Sequence, residues 1–88
     1  MLVLWRPGEP GATRRVGFTV SRQVRGAVGR NRVKRRLREA YRATRVAAPA
    51  AVSLVIIGRP PVMTVPMNTL IGEMRRALGT IPGERAAG

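Results

Sequence analysis

Between Arg15 and Ser21 the chain alternates strictly: Val16, Phe18 and Val20 share one side of an extended segment, and Gly17, Thr19 and Ser21 the other. That pattern predicts a half-buried strand. Met1 to Trp5, with Leu2, Val3, Leu4 and Trp5 apolar and suited to a sheet, predicts a short strand ahead of it. Between the two lie Arg6, Pro7, Gly8, Glu9, Pro10 and Gly11, turn formers that are expected to end a ladder. The two strands are accordingly expected to pair as an antiparallel hairpin with a long loop. Val52 to Arg59 is β-branched and nearly continuous in apolar character. It predicts a central strand buried on both faces, closed by Pro60 and Pro61.

The period changes between these strands. Val33, Leu37, Ala40, Tyr41 and Thr44 recur at steps of four, three, one and three, the stripe of an amphipathic helix. Gly26 and Gly29 weaken its first turn, so the start is expected between Ala27 and Asn31 and the end before Pro49. A second helix is predicted from Pro66 or Met67 to Leu78, with Leu70, Ile71, Met74 and Leu78 facing inward. The reading is one α+β domain over residues 1–81, with residues 82–88 a frayed tail. With 88 residues there is no room for a second core.

Charge narrows the chemistry. Seventeen Lys and Arg stand against four acidic residues, a net charge of +13, with no Asp, His or Cys. This excludes a zinc site, a disulfide framework and an imidazole base, and leaves only Glu9, Glu39, Glu73, Glu84 and Tyr41 for side-chain acid–base work. A stand-alone enzyme is not expected. Apolar runs such as Leu54 to Ile57 are far too short to cross a bilayer, and no secretory signal opens the chain, so a cytoplasmic protein is expected. All the cations but Lys34 are arginines, whose planar forks suit phosphate and base faces.

The cations concentrate on the first helix, where the chain reads Arg30-Asn31-Arg32-Val33-Lys34-Arg35-Arg36-Leu37-Arg38. Like charges three and four residues apart repel, and several sit near the positive end of the helix dipole. A polyanion against this helix would reverse both effects. Phosphate binding therefore outweighs a merely solvated face, with RNA and DNA both open on composition alone. Insertion of the helix into a DNA groove is disfavoured, because Val33, Leu37, Ala40 and Tyr41 are needed for the core and no partner helix stands at helix-turn-helix spacing.

The Arg30-Asn31-Arg32-x-Lys34-Arg35-x-x-Arg38 pattern resembles the protein subunit of bacterial ribonuclease P. Val16-Gly17-Phe18-Thr19-Val20-Ser21-Arg22 precedes it, and a strand ending Gly58-Arg59-Pro60 follows. The likeness runs in order from residue 2 to about residue 79. It implies a small two-layer α/β sandwich of ribosomal-protein-like fold with a left-handed βαβ crossover. It also implies that the chain binds ribonuclease P RNA and the 5′ leader of precursor tRNA, with no obligate protein partner. The RNA subunit, holding Mg²⁺, would cleave the leader, and no catalytic side chain or metal ligand is expected in this chain. Carried over by motif, the RNA-binding candidates are Arg30, Asn31, Arg32, Lys34, Arg35, Arg38 and Arg22. Asn31 would hydrogen-bond RNA or hold the helix start. The runner-up function is a ribosomal or other structural RNA-binding protein.

The resemblance also has departures. The family carries a helix before the first strand, with aromatic residues for a leader-binding cleft, whereas this sequence opens at that strand. Trp5 is the remaining aromatic candidate for stacking on an unpaired leader base, with core or cross-strand packing weighted slightly above that role. Gln23 stands where the family commonly has a second basic residue after Arg22.

Overall fold

The computed structural model describes residues 1–9, 11 and 13–85. Three strands and two α-helices follow the chain as β1 (Leu2–Pro7), β2 (Arg15–Val20), α1 (Ala27–Thr44), β3 (Val52–Gly58) and α2 (Met67–Gly79). Short 3₁₀ turns at Arg45–Ala47 and Pro60–Met63 close α1 and β3.

The sheet order is β1-β3-β2, with β3 antiparallel to β1 and parallel to β2. This corrects the expected hairpin: β1 and β2 do not pair, because β3 lies between them. β3 is nearly continuous in apolar sequence, and the central place lets both of its edges bond while α1 spans the parallel crossover from β2. The central position of β3 agrees with its sequence; its burial on both faces does not. Val52, Leu54, Ile56 and Gly58 are buried beneath the helices, whereas Val55 on the opposite face is 43% exposed. Both helices lie on one side, so the open face shows Leu2, Leu4, Val55 and Ile57 in cross-strand rows. β1 also runs further than expected, through Arg6 and Pro7, which pair with Ser53 and Val52. An edge strand tolerates proline, since one of its sides needs no donor. Of the turn residues expected next, Pro10 lies outside the described residues.

The helix stripes follow the sequence. Val33, Leu37, Ala40 and Thr44 of α1 are buried, as are Leu70, Met74 and Leu78 of α2, while Tyr41 and Ile71 are half-buried. Gly26 precedes α1 with φ of 82°, a conformation that favours glycine, so it ends the preceding turn rather than weakening the helix interior. Gly58 sets how closely α1 approaches β3. A Cβ there would collide with Val33 Cγ1 and stand 3.0 Å from Leu37 Cδ1.

Arginine forks tie the elements together through backbone carbonyls. Arg36 of α1 donates from Nε to Val62 O at 2.7 Å and from Nη2 to Val65 O, fastening the helix to the turn after β3. Arg14 donates to Pro49 O at 3.0 Å and Ala48 O at 3.2 Å, holding the chain just before β3. The residues expected to fray are held as far as Arg85. Ala50 N donates to Glu84 O at 2.8 Å, and the Arg85 guanidinium reaches Ile81 O at 2.8 Å beyond α2. Residues 86–88 lie outside the described residues.

Two measurements check this packing. Gly58→Ala is expected to lose about 1–3 kcal/mol by overpacking, whereas Gly17→Ala on the open face stays within about 0.5 kcal/mol. Arg36→Met is expected to lose about 1.5–3 kcal/mol with its charged-donor bonds, against less than about 0.5 kcal/mol for exposed Arg35→Met. Urea denaturation followed by circular dichroism reads both pairs.

Candidate nucleic-acid interface

Burial of the Val33–Leu37–Ala40–Thr44 stripe leaves α1 with two flanks and an outer face. On the flank toward β2, Arg30, Lys34, Arg38 and Tyr41 follow one another at steps of four, four and three. The Phe18 and Tyr41 rings meet edge to face at a centroid distance of 5.7 Å and an angle of 73°. The Arg38 guanidinium carbon stands 6.0 Å from the Phe18 centroid, at the limit of a cation–π contact. The opposite flank carries Arg32 and Arg36 toward the turn after β3, where Arg32 Nε donates to Met63 O at 3.1 Å. The outer face carries Asn31, Arg35 and Arg42, and Arg38 stands at its border with the β2 flank; all four are exposed.

The residues singled out by sequence therefore separate by environment. Lys34 is half-exposed, and Asn31, Arg35 and Arg38 are exposed beside it on neighbouring turns. Asn31 lies beyond the helix start, which has no side-chain cap, so it does not hold that end. Arg32 is exposed, with one of its donors directed at Met63. Arg30 is half-buried, and its guanidinium bonds to the carbonyls of Val20, Ser21 and Val24. Arg22 is exposed on the turn between β2 and α1.

Trp5 stands apart from this group. It lies on β1, across β3 from β2, and pairs in register with Leu54. Its ring is 43% exposed and forms no part of the buried core; with Leu4, Arg6, Ser53 and Val55 it lines a shallow groove. Arg6 and Arg15 flank Ser53 in one cross-strand row of the open face, on the side of the sheet away from α1.

Exposed cations outside the sequence candidates include Arg42 and Arg25, which adjoin them. Arg42 continues the outer face one turn beyond Arg38, a position that helical periodicity alone would have supplied. Arg25 sits on the same turn as Arg22, where no periodicity applies. Charge density is high on these surfaces and anionic side chains are scarce: α1 has no acidic residue in its first turn and contains only Glu39. An extended polyanion would satisfy several of these cations at once, its phosphates replacing the mutual repulsion with charge-assisted bonds. Among the described residues, no three or more His, Cys, Asp or Glu gather as a metal site, and no helix is long and apolar enough to cross a membrane.

Comparison with known proteins bears on this surface. The family model described as Ribonuclease P matches residues 1–82. The ribonuclease P protein component of Kocuria rhizophila is 46% identical over 70 residues, covering 80% of this chain and 62% of the relative. That of Brucella suis is 42% identical over 82 residues, covering 91% of this chain and 57% of the relative. The chain thus spans about three-fifths of the length of these curated relatives. Among solved structures, the ribonuclease P protein from Thermotoga maritima superposes with a TM-score of 0.77 at 28% identity, over 92% of this chain and 76% of that one. A fold with β3 between β1 and β2, the cation-bearing α1 packed over it, and this agreement along nearly the whole sequence lead to one conclusion: the chain belongs to the ribonuclease P protein-component family.

Proposed function

We propose that this chain is the RNA-binding subunit of ribonuclease P and assists the catalytic RNA in endonucleolytic removal of the 5′ leader from precursor tRNA. The observation that carries the reading is the display of Lys34, Arg35, Arg38 and Arg42 on a helix whose opposite stripe is fully buried. The helix can neither turn nor bend these cations away, so they form a fixed positive edge. Phosphate neutralisation along that edge contributes affinity, with Asn31 and Arg32 on adjoining faces and Arg22 on the turn before the helix.

The residue types present support a division of labour. Four Glu and one Tyr, with no Asp, His or Cys, are poor material for phosphodiester hydrolysis. The chemistry, together with Mg²⁺, is assigned to the RNA. The protein contributes counter-charge that lets two RNA surfaces approach: ribonuclease P RNA and the precursor's leader. Trp5, exposed at the β1 edge, is the residue assigned to stacking on an unpaired leader base, which is worth about 1–3 kcal/mol when such a contact forms. A cytoplasmic location follows from the same reading.

The decisive assay adds the protein to ribonuclease P RNA and precursor tRNA at low Mg²⁺. Leader removal is expected to rise; no change, with equal binding to an unrelated RNA, would leave only a structural RNA-binding protein. A contact with about six phosphates gives a slope near −5 for log affinity against log salt. Replacing Lys34, Arg35 and Arg38 with Ala is expected to make that slope shallower by about 3 units, with the helical circular dichroism retained. A slope near zero in the unaltered protein would refute the electrostatic account.

A further inference from the structure

Arg30 shares the motif of the exposed cations but not their surroundings. Its Nη1 donates to Ser21 O and Val24 O, each at 3.0 Å, and its Nη2 donates to Val20 O at 3.1 Å. The accepting carbonyls run from the end of β2 into the turn that leads to α1. That turn has further ties: Ser21 N donates to Gly58 O at 2.8 Å, and the Val24 side chain is 3% exposed within the core. Arg22 and Arg25 project from it into solvent, and Gly26 at φ 82° redirects the chain into the helix. Arg30 adds three bonds to these ties, along the stretch from which both exposed cations project.

We infer that Arg30 is a positioning residue: it locks the 21–26 turn against the first turns of α1, fixing Arg22 and Arg25 relative to Lys34 and Arg35, and does not itself bind phosphate. This rests on the RNA-binding reading above and assigns a different task to one member of its motif. The donors on Nη1 are both spent on carbonyls. Turning the fork outward onto a phosphate would leave the carbonyls of Val20, Ser21 and Val24 without this donor, in a half-buried place where the loss is costly. Arginine is required because a planar fork reaches carbonyls that diverge, whereas an ammonium group is a single point. Two long cationic side chains held at a set spacing lose less freedom on binding, and affinity rises without a new contact.

The test compares Arg30 with Arg75 and Arg35 on a transcript of bacterial ribonuclease P RNA. Arg30→Lys keeps the charge but loses the fork. It is expected to weaken binding about three- to tenfold with the salt slope unchanged, whereas Arg75→Lys, at an exposed α2 position outside the proposed interface, stays within about twofold. Arg30→Gln is expected to match Arg30→Lys, and adding Arg22→Ala to it costs less than Arg22→Ala costs alone, since the turn no longer holds Arg22 in place. Should Arg30→Gln fail to fold by circular dichroism, Arg30→Lys and the side-chain resonances of the unaltered protein decide. The Arg30 guanidinium protons are expected to exchange slowly in the free protein and to keep their shifts when RNA is added, while those of Arg35 move. The assignment is overturned if Arg30→Lys binds as the unaltered protein does, if Arg30→Gln makes the slope shallower by about one unit, or if the Arg30 resonances shift with RNA. Failure of the unaltered protein to bind the transcript in a salt-dependent way would instead remove the RNA-binding reading on which this one stands.

Discussion

Val33 and Leu37 press onto β3 at Gly58, where the absence of a side chain lets the helix settle against the sheet. That contact fixes the rotation of α1 about its own axis, and the rotation decides the environment of every cation on it. With Val33, Leu37, Ala40 and Thr44 inward, Arg36 must face the turn after β3, and Arg30 must face the turn after β2. Arg35 and Arg42 have only solvent or a partner before them. A bulkier residue at position 58 would disturb more than packing, because the positive edge is defined by the same contact.

A chain of net charge +13 cannot neutralise its arginines with its own carboxylates. Its structure uses peptide carbonyls instead. Arg14, Arg30, Arg36 and Arg85 each donate to backbone oxygens of another segment or of a helix end. Like-charge neighbours on a helix cost about 0.2–0.5 kcal/mol per pair, while a hydrogen bond from a charged group contributes about 1.5–3 kcal/mol. Folding therefore tolerates the clustered arginines whose forks are occupied. Among the described residues, the arginines on the outer face of α1 receive no such offset, and a polyanion would supply it.

The hydrophobic pattern carried the elements and the buried stripes because period and side-chain volume are local properties. Val33-Leu37-Ala40-Thr44 and Leu70-Met74-Leu78 could be read at a glance from their spacing. Strand order was not local. Which of two strands lies beside β3 depends on the crossover through α1, and the alternation of Arg15–Ser21 is the same whether β2 pairs with β1 or with β3. Burial of β3 failed for a related reason: Val55 and Ile57 are as apolar as Leu54 and Ile56, and only the placement of both helices on one side separates them. The candidate site was legible as a cluster, but the split within it was not. Arg30 and Arg35 are the same residue type within two turns of one helix, and only the carbonyls of Val20, Ser21 and Val24 tell them apart.

The lone lysine adds a final physical constraint. Coding composition would account for a general excess of arginine, yet it gives no reason for particular positions to require a fork. At Arg30 and Arg36 a guanidinium reaches carbonyls on separate residues, a geometry that a single ammonium does not reproduce. Lys34 lies between them in sequence on the half-exposed flank toward β2, where a flexible point charge serves a phosphate well. The helix thus combines two kinds of cation. Forks turned inward tie the helix to its neighbouring turns, and charges turned outward are open to solvent, where they would meet a polyanion. Neither alone gives a pre-set surface, because rigid arms without outward charge attract nothing and outward charge on a loose turn is spent on ordering.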